Sequence, residues 1–370
     1  MSAPELTGSV PPFDLVAAVP RLMAIDASAG TGKTFTLASL VTRLVGEGEV
    51  TAPELLVVTF TRAATSELRS RVRAQLVEAA AHLRSPDEPG TGDPSPVARH
   101  LAAVDDAERA ARASRLEQAV IDFDLATVTT IHGFATQLLG SIGVASRTDL
   151  DATLVDDLGD LLPEVCTDVL ATAALAGHAA EHLPKLKALQ TAVRVRLANP
   201  DMVVLPPSGT VDGVAADAAV LRDLLDRCLE QVAERRRRLG TISFDDVLVQ
   251  LRDVLRTRAA AEVRAAIAER FGLVLVDEFQ DTDPVQWEGF SALFADPAGR
   301  SRLVLVGDPK QAIYAFRGAD VQTFRDAVGR TDGIERRSLG RNWRSDGALL
   351  DPLNTLFEGV SFGPADIAYT

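Results

Sequence analysis

The sequence is poor in several kinds of residue, and each scarcity narrows the class of protein. Its two cysteines, Cys166 and Cys228, form neither a metal-ligand spacing nor a disulfide framework, so we expect two core thiols in a reducing compartment. No apolar run reaches the roughly 18 residues of a transmembrane helix. The N-terminus lacks the basic and apolar regions of a signal peptide. We therefore expect a cytoplasmic protein without a membrane span.

Basic residues are also in the minority. Lysine and arginine total 38 against 52 aspartates and glutamates, which gives a net charge of −14. This balance argues against a general polyanion binder but leaves room for a local DNA-binding groove. At 370 residues the chain is long enough for two or three domains. The lysines are Lys33, Lys185, Lys187 and Lys310.

A glycine-rich segment between an apolar run and a helical pattern resembles a phosphate-binding loop. The run Leu22 to Ile25 predicts a strand, and the apolar spacing after Thr34 predicts a helix. In this setting backbone N–H groups point at a phosphate, Lys33 reaches the β- and γ-phosphates and the Thr34 hydroxyl binds Mg²⁺. The alternative is a glycine-rich turn that only caps a helix. The predicted ATP-binding residues are Ala27, Ser28, Ala29, Gly30, Thr31, Gly32, Lys33 and Thr34.

Two carboxylates follow a second apolar run, Leu273 to Val276. Ligands in open α/β sheets bind at the carboxyl ends of strands, where Asp277 and Glu278 are expected. Asp277 is suited to hold Mg²⁺, and Glu278 to orient and deprotonate the attacking water. A solvated strand end is the alternative, and the phosphate-binding loop makes it less plausible.

A third apolar run, Leu303 to Val306, precedes Gln311, which is placed to sense a γ-phosphate. Just beyond it, two rings and a guanidinium occur close together: Tyr314, Phe316 and Arg317. Such a group can stack on unpaired bases. Aromatic residues make up only 5% of the chain, which adds weight to their placement here. Phe60 and His132, each after a predicted strand, extend this surface, although any of these rings could also be a core residue.

Apolar runs without alternation are typical of strands covered on both faces. Since strands and helices alternate here, the predicted class is α/β.

We expect an exposed loop over Ser85 to Val97. A mostly helical segment runs from about residue 148 to 240, and the basic run Glu234 to Arg238 near its end is either a solvated helix end or a DNA-backbone contact. Near the C-terminus, Arg344 can stabilise phosphoryl transfer, and a helix is expected to begin at Ser345.

Seven motifs occur in the order found in UvrD/Rep-like superfamily-1 DNA helicases. They are ASAGTGKT, VTFTRAATSELRSRVR, TIHGF, SFDDVL, VDEFQDTDP, VGDPKQAIYAFRGAD and NWRS. The chain resembles most the helicase part of the RecB-like beta subunits of exodeoxyribonuclease V. Three features favour that family: the residue sequences of DEFQDTDP and GDPKQAIYAFRGAD, the charged helical segment Ser85 to Asp124, and the basic helix before Gly240.

The resemblance implies an ATP- and Mg²⁺-dependent 3′→5′ motor on single-stranded DNA and DNA ends, with RecC-like and RecD-like partner subunits. Lys33, Thr34, Asp277, Glu278, Gln311 and Arg344 would form the ATP side. Phe60, His132, Tyr314, Phe316 and Arg317 would form the single-strand track, with Arg62 a weaker candidate for either. Ser243 to Leu248 would be structural support.

The resemblance also implies a RecA-like P-loop sheet with an inserted all-helical subdomain. The expected segments are 1–147 and 241–330 for the first motor domain, with a helical insertion at 85–124, then 148–240 for the helical subdomain and 331–370 for the start of a second motor domain. The late helicase motifs and a nuclease domain are missing, so we expect ATP·Mg²⁺ binding with little hydrolysis. Two alternatives remain: a nucleotide- and DNA-binding module without motor activity, and a metabolic P-loop kinase.

Overall fold

A computed structural model of the chain describes residues 10–85, 93–142, 153–155, 159–178, 182–198, 214–257, 260–313, 321–362, 367 and 369. The strands are β1 (Leu22–Asp26), β2 (Leu55–Thr59), β3 (Thr127–Thr130), β4 (Thr153–Val155), β5 (Thr241–Ser243), β6 (Leu273–Val276), β7 (Arg302–Gly307) and β8 (Ile334–Ser338). The helices are α1 (Lys33–Gly46), α2 (Arg62–Arg84), α3 (Pro96–Ala102), α4 (Asp106–Ile121), α5 (Ile131–Ile142), α6 (Leu161–Leu175), α7 (Leu186–Ala198), α8 (Val214–Leu239), α9 (Phe244–Arg256), α10 (Ala261–Arg270), α11 (Pro284–Phe294), α12 (Val321–Arg330) and α13 (Gly347–Phe357). Within the described ranges, every helix is too short or too polar to cross a membrane.

The chain divides into a sheet unit, Met1–Phe134 with Leu255–Thr370, and a helical unit, Ala135–Val254. Six strands of the sheet unit run parallel in the order β3-β2-β6-β7-β1-β8. This arrangement confirms the α/β class. Because the strands are parallel, the loops that follow β1, β6 and β7 all lie at one edge of the sheet, where such folds bind ligands.

The central strands are buried on both faces, as their uninterrupted apolar sequences predict. In β1, Met23 and Ile25 join a core formed with α1, α2, α3 and α4. Leu22 and Ala24 point to the opposite face and are equally buried. The sequence did not predict β8, because its residues IERRS carry the charges of an edge strand rather than an apolar run.

Capping residues set several helix starts. Asp283 accepts the Gln286 N–H and Pro284 occupies the first turn of α11, and both residue types favour these positions at a helix start. Two expectations were wrong. The segment Ser85 to Val97 is not wholly an exposed loop, since Ser95 caps α3 and Val97 is fully buried.

The helix predicted from Ser345 begins instead at Gly347. The Ser345 N–H donates to Asn342 Oδ1 at 3.1 Å, so Ser345 belongs to the preceding turn. This helix, α13, contains no buried residue.

The helical unit has its own core, formed by α6, α7 and α8. Cys166 and Cys228 lie in that core as buried, unbridged thiols, as predicted. Burial raises the pKa of the Cys228 thiol to about 12, so this thiol is chemically inert at neutral pH.

The motif SFDDVL joins β5 to α9 in the helical unit. Ser243 Oγ accepts the Asp246 N–H at 3.2 Å and Asp246 Oδ2 accepts the Ser243 N–H at 3.0 Å, a reciprocal cap on the helix start. Asp246 also forms an ion pair with the buried Arg236. These contacts fit the structural role that the resemblance implies for Ser243 to Leu248.

Candidate nucleotide-binding site

The loop between β1 and α1 adopts a conformation that requires glycine. Gly30 has φ 79° and Gly32 has φ 88°, in the left-handed region that residues with a Cβ atom rarely occupy. Gly32 also caps α1, and its carbonyl accepts the Thr36 N–H at 2.9 Å. Thr31 Oγ1 donates to Ser28 O at 2.7 Å, which closes the loop on itself. The free backbone N–H groups at the N-terminus of α1 thus lie at the edge of the sheet where this loop is found, as anion binding requires.

A cleft of about 450 Å³ opens beside this loop. It brings together five parts of the sheet unit: the phosphate-binding loop with the start of α1, helix α2, the loop after β6, the loop after β7 and the turn after β8. Ala27 and Thr31 are buried beneath the loop. The lining residues are Ser28, Ala29, Gly30, Gly32, Lys33, Thr34, Phe35, Glu67, Arg71, Glu278, Gln311, Trp343 and Arg344.

Lys33 and Glu278 form an ion pair inside the cleft. Lys33 Nζ lies 2.6 Å from Glu278 Oε2, and Gln280 Nε2 donates to the same oxygen at 2.8 Å. Glu278 has φ 51°, and its N–H donates to Asp277 Oδ1 at 3.0 Å. A non-glycine residue with such a backbone is held in place by its surroundings. Here the strained backbone turns the Glu278 carboxylate towards Lys33.

Two carboxyl groups near Glu278 are hard to ionise. Burial, reinforced by the negative charge of Glu278 and opposed by Lys33, raises the pKa of Asp277 to about 6. Burial and Glu278 likewise raise the pKa of Asp281 to about 6. Three carboxyl groups and one lysine therefore share a small region. An added cation would lower the free energy of the ionised forms.

A chain of hydrogen bonds connects Glu278 with Gln311. Gln280 Nε2 donates to Glu278, and Gln280 Oε1 accepts the Asp308 N–H at 3.0 Å. Asp308 Oδ2 then accepts Gln311 Nε2 at 2.8 Å. Sequence reasoning assigned no role to Gln280, which is 2% exposed. The sequence feature that could have identified Gln280 is its position two residues after Glu278, in the loop that follows a strand.

Trp343 also lines the cleft, and sequence reasoning missed it. Its ring is 67% exposed and the Arg341 guanidinium lies 3.9 Å from the ring centroid. The sequence feature that could have identified Trp343 is its position beside Arg344 in the motif NWRS. Phe35, next to Thr34, was also missed. So were Glu67 and Arg71, which lie four residues apart on α2 and precede the core residues Leu68 and Val72.

The residues predicted to contact DNA do not line the cleft, as far as the structure describes them. Phe60 follows β2 and is partly buried, Arg62 is exposed at the start of α2, and His132 lies in the first turn of α5. Since β2 and β3 are neighbours, Phe60 and His132 lie at the same edge of the sheet. Tyr314, Phe316 and Arg317 lie outside the described residues.

The basic run at the end of α8 is largely engaged in ion pairs. Arg235 pairs with Glu164 and Asp168, and Arg236 with Asp246. Arg237 and Arg238 are exposed and both contact Glu234. Two of its four guanidinium groups thus have structural partners inside the helical unit.

Comparison with known proteins identifies the class. The profile of the UvrD/REP helicase N-terminal domain matches residues 14–330, so the chain belongs to this family. The RecA-like P-loop fold predicted from the motifs is thereby confirmed.

Individual relatives point in the same direction. The chain is 41% identical over 358 residues to the RecBCD enzyme subunit RecB of Mycobacterium tuberculosis (strain ATCC 25618 / H37Rv), covering 96% of this chain and 31% of that protein. It is 30% identical over 450 residues to the RecB subunit of Escherichia coli (strain K12), covering 90% and 37%. The ATP-dependent DNA helicase UvrD2 of Mycobacterium bovis (strain ATCC BAA-935 / AF2122/97) is 33% identical over 327 residues, covering 87% and 39%. The chain thus spans about a third of the length of these curated relatives.

Proposed function

We propose that this chain binds ATP·Mg²⁺ in the cleft and is the ATP-hydrolysing motor region of a RecB-like DNA helicase that translocates 3′→5′. One observation carries the proposal: the cleft gathers Lys33, Glu278, Gln311 and Arg344 from four separate parts of the sheet unit. These are the residue types that phosphoryl transfer needs, a phosphate-binding cation, a base, a sensor and a second cation.

The residues present fit ATP·Mg²⁺. The positive φ of Gly30 and Gly32 lets backbone N–H groups turn towards a phosphate, and Thr34 lines the cleft. Thr34 and Asp277 would hold Mg²⁺. Burial and the neighbouring Glu278 raise the pKa of Asp277 to about 6, and a bound cation would favour its ionised form. When bound, Mg²⁺ would neutralise charge on the phosphate oxygens.

The base would lie between two aromatic rings. Phe35 and Trp343 both line the cleft, with 41% and 67% of their surface exposed. A planar base can stack on either ring. Stacking on the base would account for two rings, Phe35 and Trp343, that are exposed and not packed in the core.

Lys33 and Glu278 would change partners when ATP binds. In the structure each neutralises the other. The γ-phosphate would attract Lys33 and release Glu278 to accept a proton from the attacking water. Gln311 would move with Glu278 through Gln280 and Asp308, and Arg344 would stabilise the charge that develops on the transferred phosphoryl group.

We propose further that single-stranded DNA runs across the β3–β2 side of the same sheet edge. Phe60, Arg62 and His132 lie there, and Tyr314, Phe316 and Arg317 would complete the track by their sequence. Bases would stack on the rings without strong sequence preference. The name of the RecB relatives as RecBCD enzyme subunits supports RecC-like and RecD-like subunits as partners. DNA ends as the substrate rest on the motif resemblance.

The proposed domain boundaries follow the helicase pattern. Residues 1–147 and 241–330 would form the first motor domain, with the helical insertion 85–124, and residues 148–240 the helical subdomain. The compact helical unit is wider, Ala135–Val254. The second motor domain, expected over 331–370, would begin only after β8, because Ile334–Ser338 pairs with β1 in the first sheet.

Steady-state ATP hydrolysis with and without single-stranded oligonucleotide tests the function. Glu278→Gln should lower the turnover rate by about 10²-fold or more, because general-base catalysis contributes at least that much. The matched control, Glu288→Gln, changes a partly exposed carboxylate on α11 that pairs with Arg256 and should leave turnover intact. Hydrolysis that resists Glu278→Gln would contradict the assignment. Because little hydrolysis is expected of the parent chain, its rate is also measured in a single turnover with the chain in excess over ATP. ATP and DNA binding with no hydrolysis above the uncatalysed rate would favour a binding module.

A further inference from the structure

The turn after β8, Gly340 to Ser345, is attached directly to the phosphate-binding loop. The Trp343 N–H donates to Gly30 O at 2.8 Å, and Asn342 Nδ2 donates to Ala29 O at 3.3 Å. Both acceptors are main-chain carbonyls of the loop that wraps the phosphates. The turn therefore contacts the backbone of the loop and does not depend on its side chains.

One side chain connects this attachment with Arg344. Asn342 Oδ1 accepts the Arg344 N–H at 2.8 Å and the Ser345 N–H at 3.1 Å. The same amide group thus donates to the loop through nitrogen and fixes the turn through oxygen. A side-chain amide carries donors and an acceptor in one planar group, and Asn342 uses both here.

The fit between the turn and the loop is close. A Cβ atom on Gly30 would lie 2.8 Å from both Asn342 Oδ1 and Arg344 Cβ. The base of the turn is fixed as well. Leu339 N–H donates to Asp26 O at 2.9 Å, and Arg336 on β8 donates to Asp26 Oδ2 at 2.7 Å. The turn and the loop are thus held together at several points between Asp26 and Gly30.

We propose that Asn342 is a positioning residue that couples the phosphate-binding loop to Trp343 and Arg344. The peptide unit is planar, so a rotation that aims loop N–H groups at a phosphate also moves the carbonyls of Ala29 and Gly30. Those carbonyls hold the turn, and Asn342 transmits their movement to the side chains of Trp343 and Arg344. The inference rests on the proposed ATP site and adds to it a route by which the loop sets the position of the second cation.

Trp343 provides the spectroscopic signal that tests the inference. The chain has two tryptophans, and the other, Trp287, packs against Phe279 with ring centroids 5.3 Å apart. In a Trp287→Phe background, emission and acrylamide quenching report on Trp343 alone. The nucleotide is a non-hydrolysable ATP analogue with Mg²⁺, and its affinity is measured separately with a fluorescent analogue.

Two variants separate the two roles of the amide. Asn342→Ala removes both sets of hydrogen bonds, whereas Asn342→Asp keeps an acceptor for the Arg344 and Ser345 N–H groups and loses the donor to Ala29 O. The matched control is Asn354→Ala on α13, where the amide oxygen accepts the Tyr369 hydroxyl at 2.7 Å. Thermal unfolding of each variant checks that it is folded, and Asn342→Asp serves if Asn342→Ala does not fold.

In the parent and in Asn354→Ala, the analogue should change the quenching of Trp343. In both Asn342 variants, Trp343 should be more accessible to acrylamide without nucleotide and should lose most of its response to nucleotide. Affinity should fall by less than about tenfold, the loss expected for one uncharged hydrogen bond. A full nucleotide response of Trp343 in both folded variants would overturn the inference. Failure of the parent to bind the analogue would instead overturn the proposed ATP site.

Discussion

At the scale of single residues, four of the residues that line the cleft were predicted from the sequence, and several others were not. Lys33, Glu278, Gln311 and Arg344 occur in motifs whose spacing reflects their chemistry, and all four line the cleft. Trp343, Phe35 and Arg71 line it as well, but their types suit a core or a solvated helix equally well. Only the fold shows that they face the same space.

The buried carboxyl group of Asp281 gives a prediction at this scale. The side chain is 6% exposed, Oδ1 has no hydrogen-bond partner among the described residues, and burial with Glu278 raises its pKa from 3.8 to about 6. The folded chain therefore holds this proton more tightly than the unfolded chain does. The resulting loss of stability grows as the pH rises from about 4 to about 6 and is constant above that.

Asp281→Asn removes this penalty. The variant should have a free energy of unfolding about 1–3 kcal/mol above that of the parent at pH 7, and the difference should vanish near pH 4. Urea unfolding of the nucleotide-free chain at both pH values measures it, with the exposed Asp332→Asn as the matched control. An equal difference at pH 4 and pH 7 would show that ionisation is not the cause.

At the scale of secondary-structure elements, the apolar strands and the capped helices were predictable because their signals are local. The runs Leu22 to Ile25 and Leu273 to Val276 became buried parallel strands, and Asp283 with Pro284 began a helix. The edge strand β8 and the true start of α13 were not predictable. The charged sequence of β8 contains no apolar run, and the strand is recognised by its pairing with β1. Ser345 lies outside the helix because its N–H donates to Asn342, which is a contact of the folded turn.

The end of α8 yields a prediction at this scale. Arg236 is 8% exposed and pairs with Asp246, whereas Arg237 is exposed and pairs within its own helix. Arg236→Ala should therefore destabilise the helical unit by about 1–3 kcal/mol, because it leaves a partly buried carboxylate without its partner.

The matched control is Arg237→Ala, for which we expect a change within about 0.5 kcal/mol. Chemical unfolding followed by circular dichroism compares the two variants. Similar losses for both would contradict the distinction between a structural and a solvated arginine. Titration of the same variants with single-stranded DNA tests the remaining alternative, a backbone contact by Arg237 and Arg238.

At the scale of the whole molecule, the order of the parallel strands explains why the residues of the cleft lie close together. Because β6, β7 and β1 are neighbours, the acidic loop, the glutamine loop and the phosphate-binding loop meet at one edge, and β8 beside β1 delivers Arg344. The motif order predicted the family, and the family match over residues 14–330 agrees. Strand order is not encoded locally, so the meeting of these loops came from the resemblance and not from the spacing of residues.

The central claim is that ATP binds in this cleft through Lys33, and equilibrium titration with a fluorescent ATP analogue and Mg²⁺ tests it most directly. Lys33→Ala should weaken binding by about 10²-fold or more, the effect of removing a charge-assisted contact of about 3 kcal/mol. The exposed Lys187→Ala on α7 is the matched control and should bind like the parent. Glu278→Gln should bind at least as tightly as the parent, because it frees Lys33 from its ion pair. Unchanged affinity in a folded Lys33→Ala variant would contradict the account.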